Sequence, residues 1–358
     1  MRRVSAKGTK PGMVLAREIY DNEGYLVYQQ GTMLGAEDVD KLHVSNFGEV
    51  IIEDDRLGDV LVSPMFSPEL EGHLAQALKK LMLEGQDTKE LDSYLVRQLA
   101  EHVRSIIQLL FPEPLGEINA TGCSDLEDYD YLQPAKAACL AALIGKRLGL
   151  EPPELESLGM AAMLKDVGYL AFPAPEKEKG ASGPPVKKSS KKHTAHGARL
   201  LKQSDGFAPE AVQGVLDHHE RWNGSGYPGK LRGDAISQFG RILTVADNYY
   251  ELVSVRPDRR ALMPHEAVEF IMAFSAESFD PDIVQVFSRQ IPLYPTGVMV
   301  KLSSGEVGLI ADSNIGHIGR PIVRIVLDED SNEVTRPFDV DLSDPRNQRQ
   351  LITKVMEY

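Results

Sequence analysis

With 358 residues, of which 42% are apolar and 26% charged, the chain has the composition of a soluble globular protein and the length for two or three domains. Its formal net charge of −14 argues against broad binding to nucleic acid or to an anionic membrane, because both need a basic face. Two cysteines are too few for a disulfide framework, and no window approaches the ~18 apolar residues of a membrane span, so the sequence predicts a cytoplasmic protein.

The first third of the chain is predicted to change from strands to helices. Residues 1–62 read as a small α+β module, with the strand-like runs YLVYQQGTML and EVIIED on either side of the helical AEDVDKLHV. Residues 63–118 carry leucines at three- and four-residue intervals, in ELEGHLAQALKKLMLEG and ELDSYLVRQLAEHVRSIIQLL. They end in FPEPLGEINATG, so we expect a helical segment followed by a linker.

A longer helical region is predicted over residues 119–290, and a β-rich segment over residues 291–358. The helical region is interrupted by FPAPEKEKGASGPPVKKSSKK, residues 172–192, whose composition favours a mobile surface connector over a functional lid. The predicted fold class is therefore mainly α, a helical bundle flanked by a small N-terminal α+β module and a C-terminal β-rich segment.

The segment DHHERWNGSGYPGKLRGD, residues 217–234, is the first candidate for a functional site. Adjacent His218 and His219 at a helix end have side chains that diverge by about 100°, so they can serve two ions, or one ion and a substrate. Asp217 is a candidate for orienting one imidazole, as metal-bound histidines usually require. A lone histidine is more often a structural residue, so a metal site needs further ligands.

Further candidate ligands stand at unusual places in the sequence. Asp166 lies beside Lys165 in the apolar AAMLKDVGYL, Asp247 lies in the apolar RILTVADNYYEL, and His193 follows the lysine-rich segment. Mixed imidazole and carboxylate ligands suit Fe, Mn, Zn or Ni better than Ca or Mg. Burying the charges of Lys165 and Asp166 is costly unless they are paired or bind something. The two residues are therefore predicted to face a site.

The segment HHERWNGSGYP, followed by RILTVAD and SVRPDRR, strongly resembles the HD-GYP family of bacterial cyclic di-GMP phosphodiesterases, over about residues 125–290. The resemblance implies an all-helical HD-superfamily fold with two or three metal ions, commonly iron or manganese, that cuts cyclic di-GMP to the linear dinucleotide pGpG or to GMP. The metal ligands that it carries over are Asp166, His193, His218, His219 and Asp247. The ligand-contacting residues that it carries over are Tyr227, Pro228, Arg256 and Arg259.

The sequence departs from the family's pattern at three positions. Where the family has a His-Asp-x-Gly-Lys arrangement, this chain has Lys165 in place of the histidine and Tyr169 in place of the lysine. An earlier family histidine corresponds to Pro134, which cannot ligate a metal and whose ring belongs at a helix start. Asp130 is the nearby acid that could compensate. Two expected imidazole ligands are therefore missing.

Lys165 is predicted to take the place of a metal ion. A charged lysine has three donors and no lone pair, so its ammonium can neutralise Asp166 and Asp247 as a surrogate cation but cannot ligate. Desolvation could instead lower the lysine pKa and let it ligate, although two nearby carboxylates favour the charged form. The remaining alternative is that Lys165 extends along its helix to solvent.

Three functional hypotheses are compatible with these residues. The first is a degenerate HD-GYP protein, a non-catalytic cyclic di-GMP receptor or protein-interaction module with one divalent metal at reduced occupancy or none; no catalytic residue is assigned, and Asp166 and Lys165 mark the altered motif. The second is an active metal-dependent phosphodiesterase with one metal or a rearranged pair. In the third, the helical domain binds nothing and is a scaffold. The partners considered are cyclic di-GMP, diguanylate cyclase (GGDEF) proteins, as the resemblance implies, and a second copy of the chain in a homodimer.

Overall fold

The computed structural model describes residues 1–21, 24–44, 49–62, 64–111, 117–118, 120, 129–172, 191–255, 260–314, 317 and 319–356. Arg256 and Arg259, two of the predicted ligand-contacting residues, lie outside the described residues, as does most of the lysine-rich segment 172–192. Within the described ranges the chain is mainly helical with β-rich ends, so the predicted fold class is confirmed. Among the described helices, none is both long and apolar enough to cross a membrane.

The N-terminal module contains short strands and one helix. Its elements in chain order are β1 (Arg2–Ser5), β2 (Ile19–Tyr20), β3 (Leu26–Tyr28), α1 (Ala36–Val44) and β4 (Glu49–Ile52). β1 pairs antiparallel with β4, and β2 with β3. Val39 and Leu42, on one face of α1, are buried in the same cluster as Val4 and Val50. The core of the module therefore forms where one helix face covers the inward side chains of the strands.

Two helices, α2 (Pro68–Thr88) and α3 (Ser93–Leu109), follow the N-terminal module. Each begins at a side chain that satisfies free backbone N–H groups: the Ser67 hydroxyl accepts from Leu70, and the Asp92 carboxylate accepts from Leu95 and from the residue before it. Their buried faces belong to one hydrophobic core with the later helices. The helical segment predicted between the module and the linker thus packs as part of the helical region.

Seven further helices build the rest of the helical region. They are α4 (Tyr129–Arg147), α5 (Pro152–Leu164), α6 (His193–Gln203), α7 (Pro209–Asp217), α8 (Gln238–Val253), α9 (Pro264–Ala273) and α10 (Pro281–Ser288). α4 lies at the centre and is buried on all sides between Leu132 and Gly145, since its many alanines let α2, α5 and α8 approach closely. Lys136 of α4 forms a buried ion pair with Glu71 of α2, with 2.7 Å between Nζ and Oε2.

The C-terminal segment forms a five-stranded antiparallel sheet with the order β8-β7-β6-β5-β9. Its strands are β5 (Met299–Leu302), β6 (Val307–Asp312), β7 (Ile322–Leu327), β8 (Glu333–Asp341) and β9 (Ile352–Val355). Leu57 and Val60, at the end of the N-terminal module, are buried against Leu309 and Val326 of this sheet. Arg324 of β7 forms ion pairs with Asp339 and with Asp59 from the N-terminal side. The two ends of the chain therefore pack against each other.

Candidate functional site

The predicted site residues meet where the ends of three helices converge on α8. Lys165 follows the last residue of α5, His193 opens α6, and the two adjacent histidines follow α7. Gly168 allows this convergence, because a Cβ at its position would lie 1.8 Å from the carbonyl oxygen of His193. Only a glycine lets the short helix after Asp166 approach the start of α6 so closely.

Four side chains gather their donor atoms at one side of the pocket. Asp166, His193, His218 and His219 each offer one metal-ligating atom, and these atoms lie within 4.8 Å of one another. The Nε2 atoms of His193 and His218 are 3.3 Å apart, and the His193 Nε2 is 3.4 Å from the Asp166 Oδ1. Ligand atoms about 2 Å from one ion have this kind of separation. We call these four residues the histidine half of the pocket.

Two rings of the histidine half, those of His218 and His219, are neutral imidazoles. The His218 Nδ1–H donates to the Val215 carbonyl at 2.8 Å, which leaves its Nε2 lone pair facing the other ligands. Burial lowers the pKa of His218 well below its ordinary value, with the neighbouring His219 acting in the same direction. Burial also lowers the pKa of His219 to about 4. Both rings can therefore ligate a metal ion near neutral pH.

The other side of the pocket holds its own cation. The Lys165 ammonium lies 2.5 Å from the Asp166 Oδ2 and 2.9 Å from the Asp247 Oδ1. Its side chain is only 3% exposed, so the contact predicted for Lys165 is present and the solvent-directed alternative is wrong. Asp166 is shared, since its Oδ1 faces the histidines and its Oδ2 faces the lysine.

The protonation states of this side follow from charge and burial. Burial alone would lower the pKa of Lys165, but the Asp166 and Asp247 carboxylates outweigh it and raise the pKa above its ordinary value. Burial alone would raise the pKa of Asp247, but the Lys165 ammonium outweighs it and lowers the pKa. The lysine is therefore charged and has no lone pair for a metal, against the alternative in which it ligates.

Sequence reasoning missed Gln133, which completes this side. The Gln133 Nε2 donates to the Asp247 Oδ1 at 2.7 Å from the buried face of α4. Pro134, the position matched to the missing histidine, lies buried inside α4 rather than at its start, and Asp130 is exposed on the first turn. The polar contact from α4 is thus made one residue before the matched position. We call Lys165, Asp247 and Gln133 the lysine half of the pocket.

Asp217 does not orient an imidazole. Its Oδ2 accepts the backbone N–H of Ser237 at 3.0 Å, and its Oδ1 accepts from the Gln213 amide at 2.8 Å. These bonds tie the end of α7 to the residue before α8. The role predicted for Asp217 is therefore wrong, and the carbonyl of Val215 holds His218 instead.

The Gly-Tyr-Pro loop closes the histidine half. The Tyr227 ring stacks on His219 with 4.8 Å between centroids, and its backbone N–H donates to the His219 carbonyl at 3.2 Å. The buried Glu220 carboxylate holds the loop by accepting from the N–H groups of Gly229 and Leu231. Pro228 is exposed. The loop thus positions an aromatic ring, not a charge, next to the cluster.

Tyr169 covers another ring of the cluster. It stacks on His193 with 4.5 Å between centroids and 7° between the ring planes. Tyr169 and His193 lie almost parallel, as the pair His219 and Tyr227 do at 27°. The pocket therefore has two stacked aromatic pairs beside its acids, and the lysine expected from the family motif is replaced by a ring that carries no charge.

The donor set of the histidine half fits a divalent transition metal. Three imidazoles and one carboxylate suit Fe, Mn, Zn or Ni, and the carbonyl contact of His218 is the support that such ligands need. Four of the five predicted metal ligands come together here. The fifth, Asp247, contacts Lys165 and Gln133 instead. Within the described residues the arrangement suits one ion.

Comparisons with known proteins address the same part of the chain. Residues 112–283 match the family model described as HD domain. A cyclic di-GMP phosphodiesterase of Pseudomonas aeruginosa is 29% identical over 56% of this chain and 48% of that protein. A cyclic di-GMP phosphodiesterase of Vibrio cholerae is 34% identical over 47% of this chain and 36% of that protein. The cyclic di-GMP phosphodiesterase response regulator RpfG of Xanthomonas campestris is 36% identical over 42% of this chain and 40% of that protein.

The chain spans between about a third and a half of the length of these curated relatives. The solved structure of an HDG"Y"P protein of Bdellovibrio bacteriovorus is similar with a TM-score of 0.48 and 13% identity, over 80% of this chain and 97% of that one. The matched segment contains both halves of the pocket. Residues 112–283 therefore match the HD domain model, and the relatives that match this chain include proteins named as cyclic di-GMP phosphodiesterases.

Proposed function

We propose that this chain is a degenerate HD-GYP protein that binds cyclic di-GMP through a site with one metal ion at most and does not hydrolyse it. The observation that carries the proposal is the Lys165 ammonium, which contacts both Asp166 and Asp247. A second ion at these carboxylates would have to displace a buried ammonium. Because removing one partner of a buried ion pair typically costs about 3–5 kcal/mol, the ammonium is not easily displaced.

Catalysis is the function that this exchange removes. A bound divalent ion acts as a Lewis acid and lowers the pKa of a coordinated water. The hydroxide that forms from this water can then attack a phosphodiester. The Lys165 ammonium supplies positive charge to Asp166 and Asp247 but has no coordination position for water. The carboxylates of Asp166 and Asp247 and the Lys165 ammonium together carry a net charge of −1. One divalent ion in the histidine half would change this net charge to +1. The pocket would then attract an anion without a second ion.

The ligand assignment rests on relatives and on the resemblance. The curated relatives are named as cyclic di-GMP phosphodiesterases, although each matches this chain over only part of its length. Tyr227 stands at the rim of the histidine half and presents a ring for contact with a nucleotide base. Arg256 and Arg259 are the matched positions for phosphate contacts. Diguanylate cyclases and a second copy of the chain are further partners proposed from the resemblance.

Metal stoichiometry and turnover test the proposal together. We expect elemental analysis to find no more than one equivalent of transition metal per chain, calorimetry to detect cyclic di-GMP binding, and chromatography to detect no pGpG or GMP after incubation with Mn²⁺ or Fe²⁺. The double variant Gln133→His and Lys165→His should raise the metal content towards two equivalents. Two equivalents in the wild-type chain, with turnover that His218→Ala abolishes, would overturn the proposal.

A one-metal phosphodiesterase is the second candidate function. The observation in its favour is the histidine half, where four ligating atoms converge within 4.8 Å. On this hypothesis the wild-type chain releases pGpG slowly with one bound ion, and the rate follows the occupancy of that ion. Titrating Mn²⁺ into chelator-treated protein separates the two functions: product that appears with the first equivalent supports the enzyme, and binding without product supports the receptor.

A further inference from the structure

Tyr227 contacts a second group besides His219. The ammonium of Lys191 lies over the Tyr227 ring, 5.2 Å from its centroid. The Tyr227 ring is in turn stacked on His219, one of the four residues of the histidine half. Lys191 is also two residues before His193, so the chain itself keeps it beside the pocket. An ammonium is thus held at the rim of the cluster by an aromatic face.

Lys191 differs from Lys165 in pairing and exposure. Lys165 is buried and bonded to two carboxylates, whereas Lys191 is exposed and makes no ion pair with any residue that the structure describes. Asp166, the carboxylate of the histidine half, has a side chain that is 31% exposed and already bonded to Lys165. Asp166 is therefore partly accessible to solvent, and Lys191, against the Tyr227 ring, carries a charge that no residue the structure describes neutralises.

We propose that Lys191 holds the phosphodiester anion of the ligand, and that it supplies from the chain before α6 the ammonium that Tyr169 cannot supply. The proposal rests on the proposed function, because it places the phosphate of the same ligand. A lysine ammonium acts on phosphate oxygens as a point charge with three N–H donors. Lys191 can therefore replace a lysine at position 169 if its ammonium reaches the phosphate. The cation–π contact with Tyr227 limits where that ammonium points.

The test compares Lys191→Met with Lys191→Arg and with Lys202→Met, a change at an exposed lysine in the last turn of α6, the helix that Lys191 precedes. Calorimetry is run with two probes, cyclic di-GMP and bis(4-nitrophenyl) phosphate, at low and high salt. We expect Lys191→Met to lower the affinity for both probes by about five- to tenfold at low salt, because the variant loses one exposed charge contact. The affinity of the variant should also depend less on salt. Lys191→Arg should retain most of the affinity, and Lys202→Met should not change it.

The outcomes separate this inference from the proposed function. If cyclic di-GMP binds Lys191→Met as tightly as the wild type, the receptor function stands and the role of Lys191 is wrong. If bis(4-nitrophenyl) phosphate binds in a Lys191-dependent way and cyclic di-GMP does not bind, the inference stands and the nucleotide assignment is wrong. If neither probe binds the wild-type chain, both are overturned. A loss of thermal stability in Lys191→Met without a change in affinity would show that the lysine only covers the ring.

Discussion

The two halves of the pocket share the Asp166 carboxylate, and each of its two oxygens has a different kind of partner. In the histidine half, the Asp166 Oδ1 faces the imidazole of His193, and the donor atoms of four side chains converge. In the lysine half, the Asp166 Oδ2 is already bonded to an ammonium that the chain itself provides. The first half is built to receive a positive ion and the second already contains one. The difference shows that the acids of one pocket can be neutralised by a side chain of the protein on one side while the other side offers ligands for an ion.

The largest expected effect comes from removing the cation of the lysine half. Lys165→Met leaves the buried Asp247 carboxylate without its charge partner, so we expect the free energy of unfolding to fall by about 3–5 kcal/mol. Urea denaturation of metal-free protein measures this loss. Lys202→Met is the matched control and should change stability by less than about 0.5 kcal/mol. A loss below about 1 kcal/mol for Lys165→Met would mean that the ammonium does not neutralise the pocket.

The histidine half should respond to pH. Burial lowers the pKa of His219 from 6.5 to about 4, so between these values the unfolded chain binds a proton that the folded chain does not. Stability therefore rises with pH across this window, and acidification from pH 7 to pH 4 should cost about 3 kcal/mol through His219 alone, with His218 adding to the loss. Urea denaturation at several pH values in the presence of a chelator measures the slope. His219→Gln should reduce the slope and leave the part that His218 contributes; an unchanged slope in that variant would contradict the assignment.

Metal affinity should distinguish the halves most directly. His218→Ala removes one of four converging ligands, and we expect the affinity for Mn²⁺ or Zn²⁺ to fall by at least about 100-fold, since even changes to groups behind the ligands cost 10- to 100-fold. Competition with a chelating dye measures the change. Gln133→Leu, in the lysine half, should leave the affinity within about threefold of the wild type. Equal losses in both variants would show that the two halves bind one ion together.

The smallest expected effect on stability comes from removing the Gln133 amide of the lysine half. Gln133→Leu removes a buried bond of 2.7 Å to Asp247, and we expect a loss of about 1–2 kcal/mol in the free energy of unfolding. Gln213→Leu is a matched control, because it removes a bond of 2.8 Å from another glutamine amide to an aspartate, but from an exposed side chain. Urea denaturation should show a smaller loss for the control. Similar losses would mean that burial does not strengthen the Gln133 contact.

Much of the pocket could be predicted because buried charge demands a partner. The charged pair in AAMLKDVGYL interrupts an apolar run, so Lys165 and Asp166 had to face something, and the side chain of Lys165 does contact both acids. The histidines and Asp166 were found from their residue types and the motif that contains them. Periodicity was sufficient for the helical core and the β-rich ends, since helical spacing and alternation differ so clearly.

What could not be predicted depends on single-residue geometry and on contacts distant in sequence. Successive residues on a helix point about 100° apart, so the match at Pro134 gave no indication that its neighbour Gln133 contacts Asp247. Asp217 was assigned to an imidazole because nothing in the sequence shows that the Ser237 N–H needs an acceptor. Lys191 belongs to the lysine-rich segment that was interpreted as a surface connector, and its contact with Tyr227 exists only in the folded chain.

The buried pair of Lys136 and Glu71 has a practical consequence for anyone who excises the domain. The family match begins at residue 112, but Glu71 belongs to α2 and is the bonded partner of a lysine in the middle of the central helix. A fragment cut at the family boundary would keep the ammonium and discard its carboxylate, and it would also expose the apolar face of α4 to water. Expression trials should therefore start no later than Ser67, where the cap of α2 begins.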